Sequence, residues 1–156
     1  MAVILWGKPA ITIAAATGST VTSTALTVDT PVMDSTQLNT ERGEKHEANI
    51  EGGGNEAVRY DKGKFTLEFE VRFANDRTLP LSDVSADGNI QGEWKVTVAD
   101  SVSAASAPQV SLNKCVASYE DMYSADEGAR RHYYFESVVP SDSSAQITWT
   151  IPTTNG

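Results

Sequence analysis

The chain has 156 residues, of which 40% are hydrophobic and 21% charged, the composition of a soluble globular domain long enough for its own core. Its 21 acidic and 12 basic residues give a formal charge of −9, which disfavours nucleic-acid binding because that binding depends on cations displacing counterions. The single cysteine, Cys115, excludes an intramolecular disulfide. The first apolar run ends at Trp6, so it is too short for the hydrophobic core of a secretory signal peptide or for a membrane span. A protein of a reducing cytoplasm is therefore expected.

The first part of the chain contains weak strand patterns separated by turn residues. Short strands are predicted at 10–15 and 20–28, where threonine and valine suit a pleated surface. Residues 29–44 are mostly polar and are predicted to form a long inter-strand loop, a length typical of functional loops. A further strand is predicted at 45–51, and the three glycines that follow it indicate a turn.

Residues 65–73 have the strongest pattern in the sequence. Apolar residues alternate strictly with polar ones, which predicts a strand with one buried face and one solvated face. The turn residues at 61–64 precede this strand and follow a short apolar segment, so a hairpin is predicted there. The polar face of the strand consists of Thr66, Glu68, Glu70 and Arg72.

Alternation continues in the second half of the chain and sets the predicted fold class. Strands are predicted at 93–98, 109–116, 130–139 and 145–151. Residues 118–128 fit either a short helix or a continuation of the preceding strand. Many short strands between turns predict a mainly β fold, an antiparallel β-sandwich or barrel with at most one short helix and a long loop, in one domain of residues 1–156.

Sequence patterns for catalysis or metal binding are weak. His46 and His132 stand outside any metal-ligand spacing, and Cys115 lies in an apolar run, so a buried thiol is expected. Residues 83–93 resemble a calcium loop, but the glutamate comes one position early. Neighbouring acids such as those at 68 and 70 are typical of a solvated strand face. The sequence therefore predicts no enzyme, no metal and no cofactor.

The region 29–73 resembles the major tail proteins, or tail tube proteins, of tailed bacteriophages. The resemblance rests on the polar stretch 29–44, the strand at 45–51, the Glu-Gly-Gly-Gly-Asn-Glu segment at 51–56 and the alternating strand 65–73, together with an apolar N-terminal arm, 1–8. It implies a β-sandwich or barrel that closes into rings, commonly of six subunits. The rings stack into a tube through which the genome passes.

The resemblance also implies roles for individual residues and for partners. Lumen candidates are Glu47, Asn49, Glu51, Thr66, Glu68, Glu70 and Arg72, and candidates in the ring-stacking loop are Asp34, Gln37, Asn39, Glu41 and Arg42. The implied partners are further copies of the chain, other tail proteins and DNA that passes without specific binding, with no membrane. The implied location is the virion tail, after synthesis in the host cytoplasm. An acidic wall would limit adhesion of DNA, although Lys45 and Arg72 interrupt the acidic faces.

Two other functions fit the same predicted fold. A capsid decoration protein, or another virion surface domain, would use a β-sandwich as a clamp or trimer. A carbohydrate- or protein-binding β-sandwich module could use Trp6, Trp94 and Trp149 as a stacking platform. Trp94 and Trp149, however, fall on apolar strand faces and are predicted to lie in the core.

Overall fold

The computed structural model describes residues 2–17, 20–21, 26–28, 31–76, 79–81, 89–102, 106–140 and 145–152. Within these ranges every helix or strand is a β-strand, which confirms the predicted mainly β class. Most of the calcium-like segment and the middle of the predicted strand 20–28 lie outside the described ranges. The strands are β1 (Pro9–Thr17), β2 (Thr20–Val21), β3 (Leu26–Val28), β4 (Gln37–Glu41), β5 (Lys45–Asn49), β6 (Asn55–Tyr60), β7 (Lys64–Arg72), β8 (Asn89–Asp100), β9 (Gln109–Ser124), β10 (Gly128–Ser137) and β11 (Ile147–Thr150).

Nine of these strands form one antiparallel sheet, with the order β2-β1-β8-β9-β10-β7-β4. In addition, β3 pairs with β1, and β11 pairs with the first residues of β9. The sheet folds over so that the inward side chains of β1 and β7 to β10 form one core. The rings of Phe69, Tyr133 and Phe135 stack at its centre, with centroids 5.2 to 6.4 Å apart.

Irregular pairing between β8 and β9 accounts for the bend of the sheet. From Ile90 to Trp94, β8 advances four residues while β9 advances two, and from Trp94 to Val96 the extra residue lies on β9. Extra residues of this kind bend a strand and increase its local twist. Gly92 lies in the first irregularity with φ of 104°, a left-handed conformation that glycine adopts without a steric penalty.

The described structure corrects the predicted long loop at 29–44. Residues 37–41 form β4, which pairs along β7, while Leu38 packs against the core. An edge strand buries only one of its faces. The residues on the exposed face of β4 are polar, so the segment as a whole has the polar composition of a loop. The interpretation of the region as a loop was therefore wrong for its central residues.

The predicted hairpin at 61–64 is also wrong. β6 pairs with β5, whereas β7 pairs with β4 and β10. The turn that joins a hairpin lies instead at the three glycines, where Ile50 N donates to the Gly54 carbonyl at 2.8 Å. Gly52 and Gly53 both have positive φ, which explains the glycine run.

The ambiguity over 118–128 is settled in favour of a strand. β9 continues to Ser124, and a turn at 125–127 leads directly into β10. The pairing of β9 with β10 extends from Cys115 to Ser124 without interruption. No helix in the described ranges is long and apolar enough to cross a bilayer.

Candidate functional site

The outer side of β4, β7, β10 and β9 forms a continuous polar surface, which we call the charged face. Cross-strand pairs define its rows: Gln37 lies opposite Glu68, Glu68 opposite Tyr134, and Glu70 opposite His132. The strands contribute Gln37, Asn39 and Glu41 (β4), Thr66, Glu68, Glu70 and Arg72 (β7), Arg130, His132, Tyr134 and Glu136 (β10) and Ser118, Glu120 and Met122 (β9). The side chains at 66, 68, 70 and 72 thus share one surface, as their alternation predicts.

An ion-pair network occupies the centre of the charged face. His132 Nδ1 lies 3.0 Å from Glu70 Oε1, and its Nε2 lies 3.7 Å from Glu68 Oε2. Arg130 Nε is 3.3 Å from Glu70 Oε2. These four side chains are only 12 to 17% exposed, so the polar face of β7 is less solvated than its sequence predicts. Neither His132 Nε2 nor Arg130 Nε has a hydrogen-bond partner among the described residues, so the contacts of these two atoms with the glutamates are electrostatic.

The network changes the expected electrostatics of the lumen candidates. Glu68 and Glu70 were predicted to form part of an acidic wall, but His132 and Arg130 lie beside them on the neighbouring strand. Arg72 donates from Nε to the Glu127 carbonyl at 2.9 Å. The charged face is therefore a mixed surface on which the central acids of β7 lie beside bases of the neighbouring strand.

The stacking-loop candidates are distributed over three places. Gln37, Asn39 and Glu41 join the lumen candidates on the charged face, where Gln37 Nε2 donates to Glu68 Oε1. Asp34 lies in an exposed turn before β4, with φ of 59°. Arg42 lies beyond β4, with its guanidinium 4.9 Å from the Tyr60 ring centroid.

The remaining lumen candidates lie on a different part of the molecule. β5 and β6 form a separate two-stranded sheet, which we call the projecting hairpin, residues 45–60. Every residue of both strands is exposed, so the hairpin stands out from the body on both of its faces. Glu47, Asn49 and Glu51 therefore do not share a surface with the charged face.

The junction between the projecting hairpin and the body is narrow, and we call it the neck, residues 41–44 and 61–63. A Cβ at Gly43 would lie 1.8 Å from the Asp61 carbonyl oxygen, and one at Gly63 would lie 2.8 Å from the Glu41 oxygen. Glycine is required at both positions because backbone atoms occupy the space of a side chain. Asp61 N also donates to the Glu44 carbonyl at 2.9 Å, which continues the hairpin ladder into the neck.

A cleft of about 280 Å³ lies between the edge strands β4 and β11. Leu67, Val98 and Val110 line it from the core side, and Trp6 and Trp149 lie at its rim. Trp149 is 50% exposed, so the prediction that it lies in the core was wrong, and Ile151 on the same apolar face is 67% exposed. Their apolar face belongs to a short edge strand that is covered only in part, which alternation alone does not reveal.

No protein-family model and no curated protein matches the chain. The function of the chain is therefore inferred from three described features: the charged face, the projecting hairpin and the cleft.

Proposed function

We propose that the chain is a structural subunit that assembles with copies of itself into stacked rings, forming a tube of the phage-tail kind for genome passage. The observation that carries this proposal is the projecting hairpin. Both of its strands are exposed on both faces, and their apolar side chains do not belong to the hydrophobic core of the body. Such an element gains its burial from another molecule.

The energetics of an isolated hairpin support docking onto another copy. A two-stranded hairpin is at best marginally stable in water, because few apolar contacts offset the entropy of ordering its residues. Ile50, Val58 and Tyr60 are 52, 45 and 47% exposed, and burial against a partner would remove this apolar surface from water. The neck fixes where the hairpin leaves the body, so a docked hairpin would set the geometry between subunits.

Edge strands offer a second means of assembly. Among the described strands β4 pairs only with β7, so its outer edge presents unpaired backbone groups. Edges of this kind pair readily with another chain, and a closed ring of identical subunits satisfies them without open-ended aggregation. In this arrangement the charged face, which ends at β4, would line the lumen.

The proposal is tested by replacing apolar side chains of the projecting hairpin. We expect the double variant Ile50→Ser with Val58→Ser to remain monomeric under conditions in which the wild type forms rings or tubes. Sedimentation velocity and negative-stain imaging measure the assembly, and thermal unfolding checks that the fold is intact. Both side chains are exposed in the monomer, so the midpoint of unfolding should change little.

The matched control is Val102→Ser, which removes an apolar side chain that is 91% exposed and lies far from the hairpin in sequence. It should assemble like the wild type. A wild type that stays monomeric at high concentration, or a hairpin variant that still forms tubes, would overturn the proposal. Compact trimers would instead favour a capsid decoration role. Deleting 30–43 is a poorer test, since it removes β4 from the sheet.

The cleft supports a second candidate function, a carbohydrate-binding module. Trp6 is 74% exposed and lies with Trp149 at the rim of the same cleft, which offers aromatic surface to a sugar ring. A lasting monomer whose tryptophan fluorescence is quenched by an oligosaccharide would favour this function over assembly.

A further inference from the structure

Three metal-ligating side chains meet at the neck of the projecting hairpin. Glu44, His46 and Asp61 each offer one ligand atom, and these atoms all lie within 4.8 Å of one another. Glu44 directly precedes β5, and its backbone pairing with Asp61 continues the hairpin ladder, so its side chain lies on the same side as that of His46, two residues further on. Asp61 directly follows β6 and lies across from Glu44, because its backbone amide donates to the Glu44 carbonyl. The ligands come together only when the hairpin forms, so their spacing along the chain matches no metal-binding motif.

The geometry of the neck holds the three side chains in place. The hydrogen bond from Asp61 N to the Glu44 carbonyl is 2.9 Å long, and Gly43 lets the two strands approach closely. His46 Nε2 lies 2.9 Å from Asp61 Oδ2. Two ligands of one metal ion, each bonded at about 2.0–2.1 Å, lie at a similar separation, so little movement would be needed to admit an ion between them.

We propose that Glu44, His46 and Asp61 bind a divalent transition metal of the zinc type. Two carboxylates and a neutral imidazole carry two negative charges, which a divalent cation neutralises. The imidazole separates this group from an ordinary set of surface acids, since nitrogen ligands select zinc, nickel or copper over magnesium and calcium. Three protein ligands leave a further coordination position for water.

A metal at this position would act on the orientation of the hairpin. It would join side chains from the two halves of the hairpin at the point where the hairpin leaves the body, in addition to the backbone hydrogen bond between Asp61 and Glu44. The inference is independent of the proposed assembly, because all three ligands belong to one copy of the chain.

The test is calorimetric titration of the full chain with zinc chloride, with magnesium and calcium chloride as comparisons. We expect one saturable zinc site per chain and no saturation by the other two ions. His46→Gln and Asp61→Asn should each weaken zinc binding by at least about tenfold, since even outer-shell changes commonly cost that much. Zinc should also slow hydrogen exchange of the Asp61 amide.

The matched control is Glu47→Gln, which removes one carboxylate from the same hairpin at a position that alternation places on its other side. It should bind zinc like the wild type. Absence of saturable zinc binding, or equal binding by His46→Gln, would overturn the inference. The same titration on the Ile50→Ser, Val58→Ser variant separates this result from assembly, because metal binding should persist there whether or not the proposed function holds.

Discussion

Tyr133 combines burial in the core with polar contacts of its hydroxyl group. Its side chain is fully buried between aromatic rings, and its hydroxyl donates to the Pro80 carbonyl at 2.6 Å. Burial raises the pKa of Tyr133 to about 12, because the phenolate would lose its hydration. Cys115 is in the same situation: burial raises the pKa of its thiol to about 12, and the predicted burial of the thiol is confirmed.

The raised pKa of Tyr133 predicts a loss of stability at alkaline pH. The folded state holds the phenol proton more tightly than the unfolded state. The contribution of Tyr133 to the free energy of unfolding is therefore fully present below pH 10 and is lost as the pH rises towards 12. Tyr133→Phe lacks the ionisable group. At pH 9 it should be less stable by about 1 kcal/mol through the lost hydrogen bond, and this deficit should shrink or reverse by pH 11.5.

Urea unfolding of both proteins between pH 9 and 11.5 measures this difference. Tyr123→Phe is the control, since Tyr123 is 77% exposed and its replacement should leave the pH dependence unchanged. A constant difference between Tyr133→Phe and the wild type across the range would show that the phenol does not control alkaline unfolding.

At the level of strands, alternation predicts which segments are extended but not which segments pair. The strands at 65–73, 93–98 and 130–139 are all present, because period-two burial is a local property. Pairing depends on distant residues, which is why the partners of β6 and the strand character of β4 were mispredicted. For the same reason the sequence does not reveal that Arg130 and His132 lie beside the lumen candidates, since only the register of β10 against β7 places them there.

The change of phase within β9 is a further feature that alternation cannot predict. Val110 and Leu112 point inward, and so do Cys115 and Ala117, so one extra residue shifts the pattern. Asn113 occupies this irregularity and is buried. Its amide donates to the Ala145 carbonyl at 2.7 Å and to Thr148 Oγ1 at 2.9 Å, which ties β11 to the irregular part of β9.

Asn113→Ala should therefore destabilise the fold and loosen β11 in particular. Removing the amide of buried Asn113 abolishes two hydrogen bonds, each worth about 0.5–1.5 kcal/mol, so the free energy of unfolding should fall by about 1–3 kcal/mol. Denaturant unfolding measures the cost, and hydrogen exchange in 147–150 measures the local effect. Asn39→Ala, in an exposed position of β4, should change stability by less than about 0.5 kcal/mol. Equal effects of the two substitutions would contradict the anchoring role of Asn113.

At the scale of the whole molecule, net charge and local charge differ. The chain carries a formal charge of −9, yet the charged face pairs its central acids with His132 and Arg130. Acids without such pairing remain at its margins, where Glu120 and Glu136 are exposed. If this face lines a tube, these marginal acids and the net charge, more than Glu68 and Glu70, would keep DNA from adhering to the wall.

Charge reversal at these two positions should make assembled tubes retain DNA. Glu120→Lys with Glu136→Lys adds cations to the charged face without breaking the central ion pairs, so phosphate contacts can form by counterion release. Nuclease-protected DNA in sedimented tubes is the measurement, and retention should fall steeply with added salt. Glu47→Lys with Glu51→Lys, which changes the charge equally on the projecting hairpin, should retain no more DNA than the wild type. Retention by the hairpin variant alone would place the lumen at the hairpin, and retention by neither would remove both surfaces from the wall of the channel.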